Sequence, residues 1–172
     1  MNRTTVSLET CQNYEPNRLK HSLIQSLNRL GGLYRYVQKG DRVLLKLNLL
    51  MKAKPESGIT VHPQFVKAIA EILIDHGINV LIGDSPGGPF NKRFVRSVYG
   101  ACGLNGIVQE LRQYILDRDL SVSIGLNQNF DSVERKVDGG QIIRRLTLCA
   151  MINDVDKIIS VSKLKTHGMM VS

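Results

Sequence analysis

The chain has 172 residues, of which 42% are hydrophobic, so it can bury the core of one domain of ordinary size. It carries a net charge of +8, no tryptophan and only 5% aromatic residues, which argues against an aromatic base-stacking surface for nucleic acid. The basic residues are dispersed, so the charge favours an anionic ligand, an acidic partner or simply a solvated basic surface.

Cysteine spacing and hydropathy bear on the compartment. Cys11, Cys102 and Cys149 lie far apart without a CxxC pair, which is typical of reduced thiols and offers no zinc or iron–sulfur motif. Residues 1–9 are polar, and no apolar run approaches the roughly 18 residues of a membrane span. We therefore expect a cytoplasmic protein with no membrane partner.

The first half of the chain predicts a β-loop-α-β unit. Residues 3–8 are a candidate first strand, and leucines at helical spacing predict a helix over 16–30. The near-continuous apolar run at 43–48 predicts a strand covered on both faces. A polar loop follows, Pro63 begins a second helix, and residues 78–82 predict a second buried strand.

The second half predicts two more helices, a hairpin and a last strand. A Gly- and Pro-rich loop occupies residues 83–89, the helices follow at 91–101 and 105–116, and the last strand spans 155–162. Asp138-Gly139-Gly140 is a plausible turn within an antiparallel β-hairpin insertion at 120–148. We expect one α/β domain over 1–172, with a mainly parallel central sheet flanked by helices in a Rossmann-like three-layer arrangement.

Polar side chains interrupt the predicted strands where they end. Lys46 and Asn48 end the first strand, and Asp84 and Ser85 end the second. The third strand ends in Lys163, Lys165 and His167, and His62 directly precedes the helix after the first strand. Because ligands of open parallel sheets bind outside the carboxyl ends of the strands, we expect these side chains to meet at one edge.

This set predicts an anion site, with other chemistries left open. The candidate ligand-binding residues are Lys46, Asn48, Ser85, Gly87, Gly88, Lys163 and Lys165. The candidates for acid–base catalysis or for a metal triad are His62, Asp84 and His167, although their wide sequence separation is unspecific. Each feature also has a plainer explanation, such as a solvated lysine or a helix-capping residue. No P-loop, dinucleotide fingerprint or nucleophile elbow is present.

Four ordered motifs resemble one uncharacterised family. They are VLLKLN at 43–48, TVHP at 60–63, GDSPG at 83–87 and VSKLKTH at 161–167, and they resemble those of the domain of unknown function 362. Three positions depart from the family pattern, and none of them removes a Lys, Asp or His. Leu47 and Ser162 stand where the family has proline, and Val61 separates Thr60 from His62.

The resemblance implies a redox setting without naming a reaction. Members often continue beyond the last motif, and many carry Cys-rich ferredoxin-like modules that hold 4Fe–4S clusters. This chain stops at Ser172 and has no such module, so by this resemblance it looks like a C-terminally truncated member whose own cofactor is unknown. An oxidoreductase-type or metal-dependent enzyme is one interpretation. A non-catalytic electron-transfer scaffold that docks a ferredoxin-like partner is the alternative, and nucleic-acid binding has only the net charge in its favour.

Overall fold

The structure is a computed structural model that describes residues 4–163. The strands in chain order are β1 (Arg42–Leu47), β2 (Asn79–Gly83), β3 (Ile124–Leu126), β4 (Ser132–Lys136), β5 (Arg145–Cys149) and β6 (Lys157–Val161). Four of them form a parallel sheet in the order β3-β2-β1-β6, and β4 and β5 form a separate antiparallel pair. The predicted α/β fold, with a parallel central sheet and an antiparallel insertion, is therefore confirmed.

The helices begin where the sequence supplies capping side chains. They are α1 (Pro16–Arg29), α2 (Pro63–Asp75), α3 (Lys92–Ala101) and α4 (Leu104–Asp117). The side chains of Glu15, His62 and Asn91 accept hydrogen bonds from first-turn amides of α1, α2 and α3, respectively. Both α1 and α2 begin at a proline. Proline is favoured there because it has no amide N–H, and the first-turn N–H groups of a helix lack partners within the helix.

The core lies between one face of the sheet and the helices. Val43, Leu45 and Leu47 alternate along β1 and are fully buried with side chains from α2, α3 and α4. Since neighbouring residues of a strand point to opposite faces, Leu44 and Lys46 lie on the other face of β1. There Leu44 approaches Gly83 of β2, as does Met151 from the 3-10 turn that precedes β6. Because Lys46 lies outside the main core, its side chain is available at the C-terminal edge of the sheet.

Two details differ from the sequence prediction. Residues 124–126 fall within the predicted insertion, yet they form β3 and pair in parallel with β2. The strand has only three residues with Gly125 at its centre, so it carries almost no strand pattern of its own. The other difference is at residues 4–8, which form no strand and are mostly exposed.

Candidate functional site

Strand register brings the three predicted strand ends together. Lys46 pairs with Gly83 on β2 and with Ser160 on β6, so β1 lies between the two strands that carry the other motifs. Asp84 follows β2 directly, and Lys163 follows β6 by two residues. The C-terminal ends of β1, β2 and β6 therefore lie side by side at one edge of the sheet.

Asp84 is the buried anchor of this edge. Its side chain is only 5% exposed, and Lys46 Nζ donates to its Oδ1 over 3.1 Å. The buried backbone amide of Leu49 donates to Oδ2 over 2.8 Å. Lys46 also donates to the carbonyl oxygen of Leu47, while its side chain stays 50% exposed. The carboxylate thus holds a partly solvated ammonium group at the end of β1 and fixes the backbone that follows.

Tyr99 is a site residue that sequence reasoning missed. It lies fully buried on α3, and its hydroxyl accepts a hydrogen bond of 3.3 Å from the backbone amide of Asp84. Burial raises the pKa of Tyr99 to about 12, so the phenol stays protonated at neutral pH. The available signal was a phenol on the apolar face of a helix, since a buried hydroxyl needs a partner.

Glycines at the end of β2 and in the loop that follows permit close packing. A Cβ on Gly83 would lie 2.8 Å from Met151 Sδ and 3.2 Å from Asn127 Cβ. The Gly87 amide donates to the carbonyl oxygen of Leu50 over 2.8 Å, and Leu50 itself adopts a left-handed φ of 59°. The loop after β2 is thereby fastened to the segment after β1. The other predicted loop residues, Ser85 and Gly88, are exposed.

A cavity of about 440 Å³ lies beside the ends of β1 and β6. Its lining includes His62, Phe65 and Lys163, and residues 11–14 cover part of it. A Cβ on Gly58 would lie 3.9 Å from Lys163 Nζ, which places that ammonium group against the loop before α2. The cavity is therefore bordered by the ammonium group of Lys163, the imidazole ring of His62 and the N-terminus of α2.

The hydrogen bond that the His62 ring accepts defines its tautomer. Its Nδ1 accepts from the Gln64 amide over 3.2 Å, so a neutral ring carries its proton on Nε2. Its ring stacks on Tyr14 with centroids 3.8 Å apart. Burial lowers the pKa of His62, Lys163 lowers it further, and Glu56 opposes both. Tyr14, the second residue that sequence reasoning missed, lies in a polar segment whose sequence gives no signal for this contact.

The structure divides the predicted residues between two loci. Lys46 and Asp84 form the ion pair, whereas His62 and Lys163 line the cavity. Asn48 lies between them: its carbonyl oxygen accepts from the Val61 amide, next to Thr60, whose buried hydroxyl has no hydrogen-bond partner among the described residues. Lys165 and His167 lie outside the described residues.

Metal-binding groups are sparse in the part of the chain that the structure describes. Residues 4–163 contain no group of three or more His, Cys, Asp or Glu side chains that could hold a metal ion. Cys11 is exposed, Cys102 is buried and Cys149 is partly buried. These thiols therefore do not fit a 4Fe–4S cluster, which needs several cysteines around one site.

The fold and this edge define a parallel α/β domain with charged side chains at the carboxyl ends of its strands. Residues 43–172 match the model of the family described as Domain of unknown function (DUF362), so the chain belongs to that family. This confirms the resemblance drawn from the four motifs. No solved structure gives a significant match.

One curated relative extends the match to nearly the whole chain. Over 166 residues the chain is 32% identical to "Thylakoid-associated protein sll1697" from Synechocystis sp. (strain ATCC 27184 / PCC 6803 / Kazusa). The alignment covers 96% of this chain but only 46% of that protein, so the chain spans a little less than half of its relative's length. Within residues 4–163, no helix has the length and apolar character needed to cross a membrane.

Proposed function

We propose that the protein binds a small anionic ligand, carrying a phosphate or carboxylate group, at the C-terminal edge of β1 and β6. The observation that carries this proposal is the cavity lined by Lys163 together with His62, the N-cap of α2, and Phe65 in the first turn of that helix. A lysine supplies a full positive charge, and a helix N-terminus adds a partial one. The first-turn amides of Gln64, Phe65 and Val66 already have acceptors, so α2 would act through its dipole.

Each residue has a role that its contacts favour. Lys163 would neutralise the anion, and neutral His62 would donate a hydrogen bond from Nε2. Lys46 would supply a second cation at the same edge, with Asp84 holding its ammonium group in place. Both Asp84 oxygens already accept hydrogen bonds, which favours a positioning role over proton transfer. The remaining members of the proposed site are Asn48, Ser85, Gly87, Gly88, Lys165 and His167.

The proposal is tested by calorimetric titration of the protein with inorganic phosphate and, separately, with citrate. Lys163→Ala should weaken binding of the better anion about tenfold, the effect of losing one charge-assisted contact of roughly 1.4 kcal/mol, and Lys46→Ala, whose ammonium group lies outside the cavity lining, should weaken it less. Lys157→Ala is the matched control, since Lys157 is an exposed lysine at the opposite end of β6. If all three variants bind like the parent protein, the site is misplaced.

The redox part of the proposal rests on the family resemblance alone. It includes two possibilities, an enzyme and an electron-transfer scaffold. If the basic surface docks an acidic ferredoxin-like partner, binding should weaken steeply with ionic strength, because exposed charges are screened by salt. An anion held in the cavity should be less sensitive. Iron analysis and an absorbance spectrum of the anaerobically purified protein test whether any cluster accompanies it.

Location is the last part of the proposal. We propose that this domain works in the cytoplasm, as its reduced-thiol pattern suggests. The name of the Synechocystis relative describes association with thylakoids, which makes such an association a candidate for this chain as well. Cell fractionation followed by immunoblotting separates the two: a cytoplasmic protein stays in the supernatant, and a thylakoid-associated one sediments with that fraction.

A further inference from the structure

The β4–β5 hairpin stands apart from the parallel sheet. Val133 pairs with Leu148, and Arg135 pairs with Leu146, in a ladder that no third strand extends among residues 4–163. A lone two-stranded ribbon is marginally stable in water, because it has little apolar surface to bury. Contact with a surface that covers one of its faces would therefore stabilise this hairpin.

The two faces of the hairpin differ in character. Side chains alternate along a strand, so Val133, Leu146 and Leu148 share one face, together with Arg135, which pairs with Leu146. Leu146 and Leu148 are both exposed there. The opposite face carries Glu134 and Arg145, which form an exposed ion pair of 2.9 Å. The hairpin is thus an amphipathic ribbon: one face is mostly apolar, carries the basic Arg135 and is only partly covered, and the other is polar.

The connection between the strands strengthens this asymmetry. Ile142 is 94% exposed, and the adjacent Ile143 is 56% exposed. Single exposed apolar residues are ordinary, but two consecutive isoleucines at the tip of an arm with an exposed apolar face form a patch, which marks an interaction site. Lys136 and Arg144 lie next to this tip in the sequence, and both are exposed.

We propose that this hairpin inserts Ile142 and Ile143 into the interface of a membrane that contains anionic lipids. The hairpin, residues 132–149, carries four basic and two acidic side chains, and the whole chain has a net charge of +8. That charge attracts an anionic bilayer and opposes pairing with a second copy. An acidic protein would satisfy the basic groups, but the isoleucines need an apolar phase, which a bilayer offers directly beneath its charged headgroups.

This inference is independent of the strand-edge site and goes beyond it. It departs from the expectation of no membrane partner, which rested on the lack of a spanning segment rather than on surface contacts. Two isoleucines alone give weak anchoring, so attachment should require both the apolar tip and the basic residues. Binding should therefore be reversible, and it should weaken with added salt because the electrostatic part is screened.

The test is co-sedimentation with sucrose-loaded vesicles, either of phosphatidylcholine alone or of phosphatidylcholine mixed with phosphatidylglycerol. We expect binding to the mixed vesicles, and at least a tenfold loss in the double variant Ile142→Ser, Ile143→Ser. Leu116→Ser is the matched apolar control, since Leu116 is an exposed leucine on α4, and it should bind normally.

A second pair of variants tests the charge. Arg144→Glu should weaken binding by more than the roughly fivefold expected from losing one basic residue near an anionic surface, because it also adds a repelling charge. Arg93→Glu on α3 changes the net charge equally and should have a much smaller effect. No sedimentation with mixed vesicles, equal binding to neutral vesicles, or full binding by the double isoleucine variant would each overturn the proposal. A dimer that disappears in that variant would assign the tip to a second copy instead.

Discussion

Asp84 offers the sharpest test of how the strand edge is held together. Its carboxylate accepts from the Leu49 amide at 2.8 Å and from Lys46 Nζ at 3.1 Å. Two substitutions separate these contacts. Asp84→Asn removes the charge but keeps a side-chain oxygen where Oδ2 lies, whereas Asp84→Ala removes both acceptors. We expect the alanine variant to be clearly less stable than the asparagine variant.

The magnitudes follow from the exposure of the two donors. The Leu49 amide is buried, and leaving a buried donor without an acceptor costs about 1–3 kcal/mol. Lys46 is half exposed, so water replaces much of its contact with Asp84, and losing that pair costs roughly 0.2–1 kcal/mol. Asp84→Ala should therefore lower the free energy of unfolding by about 1–4 kcal/mol. Asp84→Asn should cost about 1 kcal/mol or less.

Urea unfolding followed by circular dichroism measures both values, provided that the transitions are two-state and the urea dependence stays equal among variants. Glu134→Ala serves as the control for an exposed ion pair, because its bond to Arg145 lies in solvent on the hairpin. That variant should change the free energy of unfolding by less than about 1 kcal/mol.

Equal losses in Asp84→Asn and Asp84→Ala would refute the reasoning. Such a result would mean that the charge on Asp84, rather than its oxygen acceptor for Leu49, stabilises the edge. Lys46→Met should then be as damaging as Asp84→Ala, and a double-mutant cycle between Lys46 and Asp84 would give a coupling energy well above the surface range.

Two further predictions concern the packing after β2 and the ionisation of the cavity. Gly83→Ala should lower the free energy of unfolding by about 1–3 kcal/mol, because the added Cβ would lie 2.8 Å from Met151 Sδ. In the double variant, Met151→Ala should recover part of this loss, and urea unfolding measures both values. Sulfate, whose charge is constant over this range, should bind more tightly as pH falls from 8 to 5.5, because burial lowers the pKa of His62 in the empty cavity and a bound anion favours its protonated form. Calorimetry should show this rise in the parent protein and not in His62→Gln; a pH-independent affinity in both would contradict the role of His62.

Much of the fold was predictable because the strong elements have strong patterns. The apolar run of β1 and the proline that begins α2 place those elements within a residue of their observed bounds. β3 was not predictable, since three residues around a glycine have no periodicity. Its position comes instead from pairing with β2, a tertiary effect that overrides local pattern.

The charged residues of the site could be predicted from the sequence, but the aromatic residues that contact the site could not. Side chains at strand ends can be placed from topology alone, so Lys46 and Asp84 could be expected to lie close together. The stacking of Tyr14 on His62 depends on where an irregular segment crosses the sheet edge, and no periodicity encodes that path. The hydrogen bond of the Tyr99 hydroxyl could not be predicted either, because the spacing between α3 and β2 decides which backbone amide the hydroxyl meets.

Two hydrogen bonds join the segment after β1 to the segment after β2. The Leu49 amide binds Asp84, and the Gly87 amide binds the carbonyl oxygen of Leu50, each over 2.8 Å. The lengths of these two segments are therefore fixed relative to each other, because one added residue would shift a donor past its acceptor. Residues 52–57, which are mostly exposed, can absorb insertions instead. A gap that falls inside the joined segments of an aligned homologue would thus mark a rebuilt site, whereas a gap at 52–57 would mark only a longer loop.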